Sequence, residues 1–217
     1  MTGVQTCALP IYIDGNLYQT IQIGEQLWMA ENLKVTHYNN GDEIAYPSNE
    51  DFGSLGGGQY GVYDNDPSNA DIYGNLYNFA AVDDERGVCP AGWHVPSDEE
   101  FMELEMELGM SELLANSTGY RGTDEGSKLA GSSDLWNDGD LDNNSEFGTS
   151  GFNVLPAGYR NGSNGFYFSM GNFGYFWSSS EDDSSYAWYR VLSYNYSSVY
   201  RNFNYKPYGF SVRCLGD

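Results

Sequence analysis

From Phe152 onward, every segment between turn signals in this 217-residue chain reads as β-strand. The candidate strands are Phe152–Leu155, Phe166–Ser169, Tyr175–Ser179, Tyr186–Tyr194, Ser198–Phe203 and Tyr208–Cys214. Gly, Asn and Ser separate them, and Lys206-Pro207 marks the last turn. Aromatic and β-branched runs bounded in this way demand a sheet. The first half reads differently. "YIDGNLYQTIQIGEQLWMAENLK" (Tyr12–Lys34) alternates around Asp14-Gly15-Asn16 and Gly24-Glu25, as a hairpin or meander does.

Helical signals are confined to the middle. In "PSDEEFMELEMELG", Ser97 is a helix N-cap and Glu100 completes a capping box. Asp98, Glu99 and Glu100 suit the positive end of the helix dipole. Phe101, Leu104 and Leu108 make the buried stripe, and Gly109 ends the helix. Tyr73–Val82 reads as a short amphipathic helix with Leu76, Phe79, Ala80 and Val82 inward, and Ser127–Ala130 as another. The expected class is α+β, with two or three short helices, antiparallel sheets and long loops. Residues 12–217 read as a single domain without linkers. Met1–Ile11 has neither the basic start nor the apolar centre of a signal peptide and reads as a non-native or disordered segment.

Charge narrows the partners. Nine Lys and Arg stand against 31 Asp and Glu, a formal net charge of −22. Such a field repels phosphate backbones and anionic membranes, which excludes nucleic acid and leaves divalent cations, neutral glycans or proteins. No run of apolar residues is long enough to span a membrane.

Most motifs fail their context. "GGGQYG" (Gly56–Gly61) has dinucleotide-loop spacing, but "VYDNDPSNAD" follows, with Pro67 and no helical period to supply a phosphate-binding terminus. His94, between Trp93 and a helix-starting Pro-Ser, suits a structural hydrogen bond better than a catalytic base. Asp138, Asp140 and Asp142 alternate like the start of a calcium loop. The sixth position lacks Gly and Thr149 replaces the closing Glu, so an EF-hand is excluded. What remains is an irregular Ca²⁺ site on those three carboxylates or a solvated acidic turn. Cys7 lies in the N-terminal segment; Cys89 and Cys214 form an even pair, read as a disulfide or as two buried thiols.

The C-terminal alphabet carries the functional expectation. Tyr and Trp give large contact area at small rotamer cost, while Ser and Asn adapt their hydrogen bonds, as in antibody paratopes. Candidate ligand contacts are Tyr186, Trp188, Tyr194, Asn195, Tyr196, Ser198, Tyr200, Asn202, Asn204 and Tyr205. The competing account is that strands favour Tyr anyway.

Six segments in order, "DGNLYQTIQIGEQLWMAENLK", "YDNDPSNADIYGNLYNFAAV", "CPAGWHVPSDEEF", "GFNVLPAGYRN", "FWSSSE" and "YGFSVRC", resemble the Fibrobacter succinogenes major paralogous domain. The likeness covers Tyr12 to the end of the chain. "WHVPSDEEF" and "FWSSSE" are also similar to the formylglycine-generating-enzyme-like branch of the C-type lectin fold. The resemblance implies a C-type-lectin-like architecture: paired terminal strands, two flanking helices, and a long loop region leading to a second small sheet. It implies a Cys89–Cys214 bridge, with Trp28, Trp93 and Trp177 as core anchors. It also implies a bacterial secreted or cell-surface protein, or lipoprotein, with no catalytic activity to carry over.

Two departures limit it further. The calcium-dependent sugar tripeptides Glu-Pro-Asn and Gln-Pro-Asp are missing, and Trp136-Asn137-Asp138 precedes the strands that would carry the site. Formylglycine-generating enzymes use a reactive cysteine pair at copper, whereas the late cysteine here is Cys214 alone. The expected function is a binding module for an extracellular protein or glycan, without a required cofactor. Some proteins of this fold are varied by diversity-generating retroelements that convert Asn-type codons to Tyr, Ser and Asp, and the C-terminal region resembles such a surface. The alternatives are a metal-assisted formylglycine-generating-like enzyme and a purely structural surface domain.

Overall fold

Turn chemistry and one disulfide set the frame of the computed structural model, which describes residues 14–54 and 56–217. The Met1–Ile11 segment lies outside the described residues. The first elements are β1 (Thr20–Ile23), β2 (Gln26–Met29), β3 (Tyr60–Gly61), α1 (Pro67–Tyr73), β4 (Leu76–Tyr77) and α2 (Phe79–Val82). The middle holds β5 (Trp93–His94), α3 (Asp98–Glu107), α4 (Glu112–Ala115), β6 (Gly119–Arg121) and α5 (Glu125–Leu129). Then come β7 (Tyr159–Arg160), β8 (Tyr167–Phe168), β9 (Phe173–Glu181), β10 (Tyr186–Ser193), β11 (Tyr196–Tyr205) and β12 (Leu215–Gly216).

The class is α+β. One four-stranded sheet has the order β1-β2-β12-β5 and the other β6-β11-β10-β9; β3 pairs with β4 and β7 with β8. Gly24, at φ 57, makes the expected β1–β2 turn. Leu215 of β12 pairs with Trp28 of β2, so strands from the two ends of the fold are neighbours. Beside them Cys89 and Cys214 form a disulfide with Cα atoms 5.9 Å apart across 125 residues. Trp28 and Trp177 are fully buried, and Trp93 is half-buried against the core.

The larger sheet separates two cores, because successive residues of a strand point to opposite faces. On one side Phe176, Leu192 and Val199 meet Phe101 and Leu104 of α3 together with Trp28. On the other, Trp177, Tyr189 and Val191 meet Phe210, Val212 and Phe79. The capping box at the start of α3 is present: Ser97 Oγ accepts from the Glu100 N–H, and Glu100 Oε2 accepts from the Ser97 N–H. Leu108, the C-cap, is only half-buried.

Several expectations need correction. Five helices occur among the described residues, not two or three. α1 begins at Pro67, in the stretch read as having no helical period: Asp66 caps it, and proline's missing N–H costs nothing in a first turn. Tyr73–Val82 is interrupted, since Leu76–Tyr77 pairs with Tyr60–Gly61 and Asn78 starts α2 anew, which turns Ala80 outward and Ala81 inward. Phe152–Leu155 is not a ladder strand; Asn153 sits at φ 63, leaving a single bridge from Val154 to Ala130. Tyr208–Cys214 also makes no continuous ladder. It is extended and buried from Gly209 on, but changes partners, bridging Arg160, Tyr77 and Phe176 in turn. Among the described residues, no helix is long and apolar enough to cross a membrane.

Candidate binding surface

β10 lies between β9 and β11, and its register sorts the C-terminal side chains. Trp188 faces Phe203 and Arg190 faces Arg201 across the pair, whereas Tyr189 faces Asn202 and Val191 faces Tyr200. The two sets therefore occupy opposite faces.

One face carries a run of tyrosine rings. Tyr196, 49% exposed, lies 4.1 Å from Tyr120, which is 42% exposed. Tyr120 meets Tyr200 at 4.9 Å, and Tyr200 meets Tyr189 at 6.2 Å. Tyr189 stacks on Tyr175 at 6.2 Å, and Tyr175 meets Tyr159 at 5.2 Å. All these separations lie near the range in which aromatic pairs attract. The run starts in solvent, passes over the buried Tyr189 and ends on the half-buried Tyr175 and Tyr159. Burial raises the phenol pKa of Tyr120, Tyr175 and Tyr189, so these hydroxyls stay protonated at neutral pH.

Asparagines finish this face. Asn202 Nδ2 donates to Tyr200 Oη at 2.8 Å, and its Oδ1 accepts from the Phe203 N–H at 2.9 Å. Asn204 Oδ1 accepts from the Tyr205 N–H at 2.7 Å, and its side chain also bonds Tyr189. β6 pairs only with Val199–Arg201, so β11 is a sheet edge beyond that point and the two carboxamides cover its N–H groups.

On the opposite face, Tyr186, Phe203 and Tyr205 are exposed; Phe203 lies 5.8 Å from Tyr186 and 5.7 Å from the half-buried Trp188. Beneath them sits a buried ion network. Arg201 Nε donates to Asp98 Oδ1 at 3.0 Å, Arg190 bridges Asp98 and Glu105, and Arg121 approaches Glu105 at 2.7 Å. Burial pushes the Asp98 carboxyl up, but the Arg201 and Arg190 guanidiniums outweigh it, and the net shift is downward. The helix-dipole reading of Asp98 therefore missed its main partners.

The remaining candidates are placed separately. Asn195 is exposed in the β10–β11 turn, and Ser198 is half-buried. Tyr194 is half-buried, and its carbonyl accepts from the Leu141 N–H at 3.0 Å. That bond docks the acidic loop, whose Leu141 is fully buried. Asp138 accepts from Asn143 at 2.8 Å and Asp142 from the Gly139 N–H at 2.9 Å. Among the described residues, no group of three His, Cys, Asp or Glu side chains is placed to hold a metal ion. His94 is bonded on both nitrogens, Nδ1 to Asp217 at 2.7 Å and Nε2 to Glu100 at 2.9 Å. Tyr120 and Phe203, which join the two aromatic groups, escaped the sequence reading. Only strand register brings Tyr120, more than seventy residues upstream of Tyr196, onto this face.

The family model for the Fibrobacter succinogenes major domain matches residues 21–215, and the chain belongs to that family. No curated protein and no solved structure matches it.

Proposed function

We propose that this member of the Fibrobacter succinogenes major domain family is a binding module of a bacterial secreted or cell-surface protein. It recognises an extracellular protein or glycan through the tyrosine face of the β10–β11 hairpin. One observation carries this reading. Along β11 the side chains of this face, Tyr196, Tyr200, Asn202 and Asn204, all reach solvent, whereas Val199 and Arg201 on the opposite face are buried. An accident of strand composition would not sort β11 in this way, because inward tyrosines serve a sheet equally well, as Tyr189 does in β10. The paired terminal strands and flanking helices accord with a C-type-lectin-like scaffold, and the exposed Tyr/Asn alphabet accords with a surface varied by a retroelement. A template repeat of these codons beside a reverse transcriptase gene is the genomic sign of such variation.

Formylglycine-generating-like chemistry would need Cys214 as a free thiol, and its sulfur is bonded to Cys89. The binding reading is tested on a glycan array and a panel of extracellular proteins. Tyr196→Ala and Tyr200→Ala should abolish any binding detected while leaving the melting temperature within a few degrees of the parent. Binding that survives both substitutions sinks this assignment. The absence of any partner in both screens leaves the structural-domain reading.

A further inference from the structure

β7 and β8 turn a second surface away from the tyrosine run. Tyr159 pairs with Phe168 on the side of that run, and the next pair, Arg160 and Tyr167, points the other way. Arg160 is fully buried there. Its guanidinium lies 4.1 Å from the Phe52 ring, and Nη2 donates to the carbonyls of Pro47 and Ser48 and to Asn49 Oδ1, each at 3.2 Å. The arginine thus pins the loop from beneath. Above it lies a groove of about 690 Å³ lined by Tyr46, Pro47, Ser48, Asn49, Glu50 and Asn65.

The lining is built rather than incidental. The Tyr46 ring is 47% exposed, and one face is stacked on Tyr60 at 4.9 Å and 25°, which leaves the ring standing as a fixed platform. Asn65 Oδ1 accepts from Tyr46 Oη at 3.3 Å and from Tyr167 Oη at 3.0 Å, while its Nδ2 donates to Asn49. To hold it there, Asp64 and Asn65 adopt consecutive left-handed conformations, φ 53 and 56. Such backbone persists only where surrounding contacts over-determine it. Glu50 is exposed beside them with its carboxylate open to solvent.

The geometry points to a binding groove for a neutral oligosaccharide. A flat phenol face accepts the C–H face of a pyranose ring, and the exposed Glu50 carboxylate beside it takes its hydroxyls, the Asn49 and Asn65 amide oxygens being used to fix the platform. The site is an open shelf rather than an enclosed cleft, and it would hold a ligand by one face. A formal charge of −22 argues against an anionic ligand, and no divalent cation is needed by these residues. This groove is distinct from the hairpin surface and does not depend on it.

The test uses three uncharged probes, cellotetraose, maltotetraose and chitotetraose, titrated into the isotope-labelled chain. At least one should give saturable amide shifts at residues 46–50 and 65. Tyr46→Ala should weaken that binding about tenfold, and Tyr196→Ala should leave it unchanged. Glu50→Ala, at an exposed side chain, supplies a second variant should Tyr46→Ala lower the melting temperature. Absence of a saturable shift with all three probes overturns the proposal. So does a response that is lost in Tyr196→Ala and kept in both Tyr46→Ala and Glu50→Ala.

Discussion

Arg201 lies with its guanidinium 4.0 Å from the Trp188 ring while its edge is bonded to Asp98. Trp188, half-buried and one of the expected ligand contacts, therefore also roofs a buried charge. Trp188→Ala should lower stability by roughly 1–3 kcal/mol through lost packing and lost shielding of Arg201. Tyr196→Ala should stay within about 1 kcal/mol of the parent, since about half of the residue is in solvent and its main ring contact is the exposed Tyr120. Urea denaturation of the two variants checks the contrast, and equal losses would remove the distinction between scaffold and surface.

Asp98→Asn should be costlier. It leaves Arg190 and Arg201 buried without their shared counter-charge, a defect that typically costs about 3–5 kcal/mol. The sign of the pH effect follows from the depressed carboxyl. Its contribution is present above the ordinary Asp range of about 3.9 and is lost as pH falls through the lower folded-state value. Melting curves across the acidic range should show the parent losing stability there, with a flatter profile for Asp98→Asn.

The Cys89–Cys214 bridge closes a separation of 125 residues and fastens the last strand to the loop before β5. Reduction, or the double change Cys89→Ala and Cys214→Ala, should cost about 2–5 kcal/mol. Denaturation with and without reductant measures it, and an unchanged midpoint would show that the bridge contributes nothing.

Local chemistry was legible wherever a neighbour in sequence is also the partner in space. Ser97 and Glu100 give α3, Gly24 gives the first hairpin, and Lys206-Pro207 gives the last turn. Elements whose partners are distant were misread. Leu76 and Tyr77 form a strand only because Tyr60 and Gly61 lie alongside, and Gly209–Cys214 is held by three different segments. The candidate surface follows the same rule. The Tyr, Asn and Ser alphabet from Tyr196 to Tyr205 could be read off the chain, but Tyr120 joins by register, and the Tyr46 groove depends on an arginine more than a hundred residues away.

His94 ties β5 to the first turn of α3 and to Asp217. Partial burial pulls its pKa down, but the bonds to Asp217 and Glu100 outweigh it, and the net shift is upward. A raised pKa means that the stabilisation is full below the unfolded value of about 6.5 and disappears as pH rises through the folded value. The melting temperature should therefore decline across this interval, modestly because the ring is partly exposed. His94→Gln should flatten the decline; an unaltered slope would assign it to other groups.

Asn202 and Asn204 hold the free edge of β11 closed by keeping the Phe203 and Tyr205 N–H groups on their own carboxamides. Without those caps the edge presents unpaired donors beside exposed Phe203 and Tyr205 rings, the arrangement that recruits a second strand. The double variant Asn202→Ala and Asn204→Ala should stay folded yet associate with itself at concentrations where the parent shows no such change. Sedimentation velocity over a concentration series distinguishes the two. Should the variant sediment like the parent throughout, the carboxamides are not what protects this edge, and their place beside Tyr200 and Tyr189 would have to be explained by ligand recognition instead.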